Sequence, residues 1–177
     1  GVDIATKLEG QLKDYPSVKV WTNASCLAVF SDKKAGVLRG DKYYLVRPKA
    51  VISATGAREK SLAFPGNTLP GVYGAGAFQT LVNRDLVRPA KRLFIVGGGN
   101  VGLIAAYHAL QAGIKVVGLI EAQARCGGYK VHEDKIRRLG VPVYTRHTIL
   151  RAEGKEGLET VTIAGVDDKF CPHPGTG

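Results

Sequence analysis

No methionine occurs in this 177-residue sequence, tryptophan occurs once, and the only cysteines are Cys26, Cys126 and Cys171. They stand far apart, odd in number, with no C-x-x-C pair and no metal-ligand spacing, so neither a zinc site nor a redox dithiol is expected. The four histidines, His108, His132, His147 and His173, likewise form no ligand or triad pattern. No metal site is expected, and no catalytic residue is assigned. Apolar runs all stop short of the roughly 20 residues needed to span a bilayer, and no signal-peptide pattern opens the chain. No membrane span is expected, and the cytoplasm is the expected compartment. Long basic blocks are lacking as well. The formal charge of +10 comes from 25 basic residues scattered in ones and twos, as at Lys33-Lys34, Lys91-Arg92 and Arg137-Arg138. Nucleic acid is therefore not an expected partner, whereas a basic surface favours small anionic ligands. The hydrophobic share of 45% and charged share of 23% are those of an ordinary globular chain. The chain opens on Gly1, holds no methionine and closes on residues 172–177 without an evident final element. It reads as an internal piece of a longer protein.

What the sequence does hold is centred on Lys91 to Gly102. Leu93 to Val96 are four consecutive apolar residues, the pattern of a strand covered on both faces. Gly97, Gly99 and Gly102 follow at the spacing G-x-G-x-x-G, with Gly98, Asn100 and Val101 between them. In a dinucleotide fingerprint the first glycine permits a tight turn, the second lets a pyrophosphate approach the backbone, and the third lets helix pack on strand. The helix so opened, roughly Asn100 to Ala112 and closed by Gly113, aims its N-terminal N–H groups and positive dipole end at that pyrophosphate. A second apolar strand, Ile114 to Ile120, ends in Glu121, nineteen residues beyond Gly102. That is the offset at which a carboxylate meets the adenosine ribose. Such a group accepts from a 2′-hydroxyl and repels a 2′-phosphate, so NAD is expected over NADP, with Arg125 leaving NADP as the lesser alternative. Cys126 sits beside Gly127 and Gly128 in the next loop, where a structural thiol is the commoner outcome.

Elsewhere the pattern is coarser. Gly1 to Tyr15 predicts a helix, with Ile4, Leu8 and Leu12 at four-residue spacing. Val18 to Trp21 alternates as a strand does, and three further strands are expected at Ser25–Phe30, Val37–Arg39 and Tyr43–Val46, forming a small antiparallel layer. A strand from Ala50 to Ser53 runs into Ala54, Thr55 and Gly56, small residues that let backbone pass close to a ligand. Gly76 to Val82 begins a helix and is followed by a connector. Beyond Glu121 the pattern predicts a helix at Val131–Leu139, a third parallel strand at Val141–Tyr144, and an antiparallel pair at Thr148–Ala152 and Leu158–Ile163.

These residues carry a resemblance. Val51 to Ala57, with its Ala-Thr-Gly ending, resembles the second flavin motif of the pyridine nucleotide-disulfide oxidoreductases, flavoproteins built on two dinucleotide-binding domains. Phe64 to Val72, together with Ala75 to Gln79, is similar to the alpha subunits of amine, opine and sarcosine dehydrogenases and to anaerobic glycerol-3-phosphate dehydrogenase-like flavoproteins. The resemblance implies that Ala54, Thr55 and Gly56 line FAD. Departures accompany it: the family's first flavin-binding glycine motif is not present, and no redox cysteine pair stands in this stretch.

The expected fold is therefore α/β. A Rossmann-like βαβ nucleotide-binding domain with a parallel sheet occupies residues 89–177, preceded at 1–88 by part of an FAD domain, with its small antiparallel layer, and a connector. Gly97, Gly98, Gly99, Asn100, Val101, Gly102 and Glu121 are the expected NAD site. The resemblance implies hydride transfer between a nicotinamide dinucleotide and FAD, an unidentified small-molecule substrate, and partner subunits of a dehydrogenase complex. The alternative, from a different class, is a non-catalytic nucleotide-binding or assembly subunit.

Overall fold

A computed structural model describes residues 2–173; Gly1 and residues 174–177, on which part of the reading of the two ends falls, lie outside the described residues. The chain divides into two units, Gly1–Gly56 and Ala57–Gly177. In the first, helix α1 (Val2–Gln11) runs into a 3-10 turn at Leu12–Asp14. Strands β1 (Ala24–Val29), β2 (Ala35–Arg39) and β3 (Lys42–Val46) then form an antiparallel sheet in sequential order, with Ser25 opposite Leu38 and Leu38 opposite Tyr43. This is the small antiparallel layer the sequence predicts.

Two expected strands of this unit do not form. Val18–Trp21 is irregular: the Val18 N–H closes a turn on the Tyr15 carbonyl at 2.9 Å, and Trp21 is held by its ring. The Trp21 ring lies 4.9 Å from that of Tyr44, with the Arg39 guanidinium 5.6 Å from its centroid. Ala50–Ser53 is irregular as well, and Ile52 is 91% exposed. An apolar run satisfies its backbone as a strand only where a neighbouring strand offers the ladder, and none does so among the described residues.

The second unit is built around a parallel sheet. Helix α2 (Ala75–Gln79) continues into a π turn at Thr80–Arg84, and strand β4 (Arg92–Val96) follows. Helix α3 (Asn100–Gln111) crosses to strand β5 (Lys115–Glu121), and helix α4 (Lys130–Arg138) crosses to strand β6 (Val143–Thr145). The order is β4-β5-β6, all parallel, with Ile95 opposite Leu119 and Ile120 opposite Tyr144. Both helices end as the sequence predicts, on glycines with positive φ. At Gly113 the N–H of Ile114 bonds back to Ala109, and at Gly140 that of Val141 bonds back to Ile136. These six-to-one bonds satisfy carbonyls that a helix end otherwise leaves open.

The core lies where α3 and α4 meet the sheet. Leu103, Ala106 and Ala109 on α3, Leu119 on β5 and Ile136 on α4 are fully buried. Alanines on α3 let helix and sheet approach closely, and Gly118 does the same on β5, since a Cβ there would press into the Phe94 ring. Phe78 of α2 belongs to this core, so α2 packs with the parallel sheet and α3.

Strands β7 (His147–Glu153) and β8 (Thr160–Gly165) complete the unit as an antiparallel hairpin. The Pro- and Gly-rich segment 64–71 lies backbone to backbone along that hairpin. Pro65 accepts from the Ala152 N–H and Pro70 from the Leu158 N–H. Gly66, at φ +84°, has no room for a side chain against the Ala152 carbonyl.

Candidate functional site

The turn between β4 and α3 is where the three fingerprint glycines can be told apart physically. Gly97 has φ +105°, a conformation open to glycine and costly to other residues, and its N–H bonds to the Ile120 carbonyl at 2.8 Å, fixing the turn to β5. Gly102 carries no Cβ because one would collide with the Gly97 carbonyl oxygen, so helix and turn meet at backbone distance. Gly99 is different. Its φ of −72° suits any residue, it is exposed, and a Cβ there would meet no protein atom within 4 Å. The space that a side chain on Gly99 would take is open.

Helix α3 starts at Asn100, with Gly99 as its N-cap and no side chain capping it. Its first intrahelical bond runs from the Leu103 N–H to the Gly99 carbonyl at 3.1 Å. The N–H groups of Asn100, Val101 and Gly102 thus precede the helical ladder at its positive end, with Gly128 packed close to the Asn100 nitrogen. Val101, exposed on the first turn, contributes this backbone group and no buried side chain.

Gly98 plays another part. Its N–H donates to Glu121 Oε2 at 2.8 Å, and its carbonyl accepts from the Gly128 N–H at 3.0 Å. Both of its backbone polar groups are used within the fold, and a Cβ on it would press on Cys126 Sγ at 2.6 Å. Glu121 ends β5 half-buried, and its other oxygen accepts from the Gln123 N–H at 2.9 Å. The carboxylate is therefore aimed by two backbone donors while each oxygen keeps acceptor capacity for a further hydroxyl. Asn100 Oδ1 accepts from the Tyr129 N–H at 2.7 Å, an interaction across 29 residues that the sequence alone does not signal.

Cys126 is buried beneath this loop. Burial, reinforced by the nearby Glu133 and Glu121 carboxylates, pushes its thiol up to about 11, so it keeps its proton through the neutral range and is no nucleophile there. All three cysteines are free, and the described residues contain no cluster of metal-ligating side chains. His108 bonds through its ring to Asn83 at 3.2 Å and His147 to the Thr145 carbonyl at 2.7 Å, so both serve the fold.

Ala54, Thr55 and Gly56 lie in an exposed irregular stretch of the first unit, with Gly56 at φ +77° and open space about its Cβ position. Backbone with small side chains is accessible there.

Comparison with known proteins gives a consistent result. A sequence model described as pyridine nucleotide-disulphide oxidoreductase matches residues 4–169. The hydrogen cyanide synthase subunit HcnB of Pseudomonas aeruginosa is 26% identical over 151 residues, covering 75% of this chain and 32% of that protein. A probable ferredoxin reductase, CtmF, of Castellaniella defragrans is 30% identical over 186 residues, covering 90% of this chain and 43% of that protein. Among solved structures, thioredoxin reductase of T. acidophilum superposes with a TM-score of 0.69 at 19% identity, over 93% of this chain and 52% of that one. The last likeness is one of fold. In each case the chain spans little more than half of the matched protein, or less.

Proposed function

The chain belongs to the pyridine nucleotide-disulphide oxidoreductase family, and from that membership we propose that it forms the central part of a flavin-dependent oxidoreductase that passes hydride between NAD(H) and FAD. The division proposed is a partial FAD-binding segment and connector at 1–88 and the NAD-binding domain from 89. The observation that carries the reading is the β4–α3 turn, with open space at Gly99 ahead of the α3 ladder and with Gly98 bonded to the doubly held carboxylate of Glu121.

The residues divide the work. The N–H groups of Asn100, Val101 and Gly102 hold the pyrophosphate of NAD at the positive end of α3. Glu121 accepts from the ribose hydroxyls and disfavours a 2′-phosphate, while Gly97 and Gly98 hold the turn and that carboxylate in place. Ala54, Thr55 and Gly56 lie along FAD. When bound, the two cofactors supply the hydride chemistry, and the protein positions and shields them. An unidentified small molecule is the substrate, and no acid–base residue is assigned to it. No described helix is long and apolar enough to cross a membrane; a cytoplasmic setting is proposed.

Anaerobic addition of NADH to the flavin-loaded parent protein tests the proposal, with bleaching of the visible flavin absorbance as the expected result. One observation favours a second reading, a nucleotide-binding or assembly subunit without turnover of its own: the relative from Pseudomonas aeruginosa is named as a subunit. That reading also calls for partner subunits. A flavin left oxidised under excess NADH overturns hydride transfer and favours the assembly role.

A further inference from the structure

Four contacts join the end of β5 and the loop after it to the glycine turn and the start of α3. Gly98 N–H donates to Glu121 Oε2 at 2.8 Å, Gly128 N–H donates to the Gly98 carbonyl at 3.0 Å, and Tyr129 N–H donates to Asn100 Oδ1 at 2.7 Å. Cys126 Sγ fills the space on Gly98 that a side chain would take. Residues 122–129 are thus fastened at both ends to the turn that carries the first helical N–H groups. Gly128 is held so closely that a Cβ would sit 2.6 Å from Leu103 Cδ1 and 2.8 Å from the Asn100 nitrogen.

From this we infer that the Asn100 side chain is a positioning latch: it ties the loop that follows Glu121 and carries Arg125 to the start of α3, and so contributes to the preference for NADH over NADPH. The inference rests on the dinucleotide reading above and adds to it a division within one residue. The backbone N–H of Asn100 serves the pyrophosphate, while its side-chain oxygen is held by Tyr129.

Two substitutions separate the latch from a direct phosphate contact. Asn100→Ala deletes the acceptor and suits the first helical position, so α3 is kept. Without the latch the loop loses its tie to α3, Arg125 is freed toward a 2′-phosphate while Glu121 keeps its two backbone donors, and the ratio of NADH to NADPH affinity falls by about five- to tenfold, the scale of one neutral hydrogen bond. Asn100→Asp restores an acceptor for Tyr129 and adds a negative charge beside the pyrophosphate. It brings the ratio back while weakening both nucleotides alike.

Calorimetric titration of the chain and both variants with NADH and NADPH reads the ratio, and hydrogen exchange at the Tyr129 amide reads the latch itself. Faster exchange and a lowered ratio in Asn100→Ala, both reversed in Asn100→Asp, support the inference. Equal weakening of both nucleotides with an unchanged ratio overturns it, because Asn100 then acts on the shared pyrophosphate. Should the unaltered chain bind neither nucleotide, the dinucleotide reading fails; the role in nucleotide preference falls with it, and exchange at Tyr129 still reports whether the loop is latched.

Discussion

Gly99→Ala leaves the fold intact and cuts NADH affinity by about ten- to a hundredfold, whereas Gly102→Ala damages both. The contrast follows from geometry. At Gly99 neither φ (−72°) nor the surroundings exclude a methyl group, because no protein atom lies within 4 Å of the Cβ position. The expected change in thermal midpoint is close to zero, and the loss appears only in binding, since the methyl occupies the space through which the pyrophosphate approaches. At Gly102 the methyl meets the Gly97 carbonyl oxygen, and neither a Cβ nor a backbone carbonyl can rotate away. Relief requires α3 to move off the turn. Overpacking of that kind costs about 1–3 kcal/mol, a fall in midpoint of roughly 2–4 °C per kcal/mol for a chain of this size. The displaced Asn100, Val101 and Gly102 N–H groups then bind NADH no more than weakly. Thermal unfolding with calorimetric titration of both variants checks the pair. An unchanged affinity in Gly99→Ala would show that the open face of the turn is not where nucleotide binds.

Glu121→Arg is expected to reverse the nucleotide preference, and Glu121→Gln to weaken NADH without a matching gain for NADPH. The carboxylate holds two backbone donors, Gly98 N–H and Gln123 N–H, so arginine removes both acceptors and presents a cation to the 2′ position. Glutamine keeps one acceptor oxygen and loses charge. Hydrogen bonds to a charged group are worth about 1.5–3 kcal/mol, so a fall of tenfold or more in NADH affinity is expected for either variant. Titration with the two nucleotides distinguishes them. An arginine variant that still preferred NADH would remove Glu121 from the ribose site and make it a purely structural partner of Gly98.

The sequence made the nucleotide unit legible because its signals are local. Three glycines at fixed spacing, an apolar run on either side, and an acid at the end of the second strand each act over a few residues, and β4, α3, β5 and Glu121 lie where the pattern puts them. Gly113 closes α3 for the same reason. What the sequence did not disclose is long-range. The bond from Gly98 to Glu121 spans 23 residues and that from Tyr129 to Asn100 spans 29, and nothing in either neighbourhood announces its partner. Val18–Trp21 and Ala50–Ser53 carry strand-like patterns, but a pattern supplies only half of a strand, and no ladder partner meets them among the described residues. The pattern from Gly76 to Val82 predicts a helix and gives no sign of the π turn at Thr80–Arg84, since a widened turn leaves the apolar spacing almost unchanged. Ala54, Thr55 and Gly56 became candidates through family likeness, not through any force their own neighbourhood exerts.

At 18.8 kDa the chain suits a direct map of the binding site by amide chemical-shift changes on titration with NADH. The account predicts the largest changes at the Gly99, Asn100, Val101 and Gly102 amides, with a smaller response at Glu121 and with the Gly98 amide still protected by its carboxylate partner. Shifts centred elsewhere, or a glycine turn unmoved at saturating NADH, would contradict it.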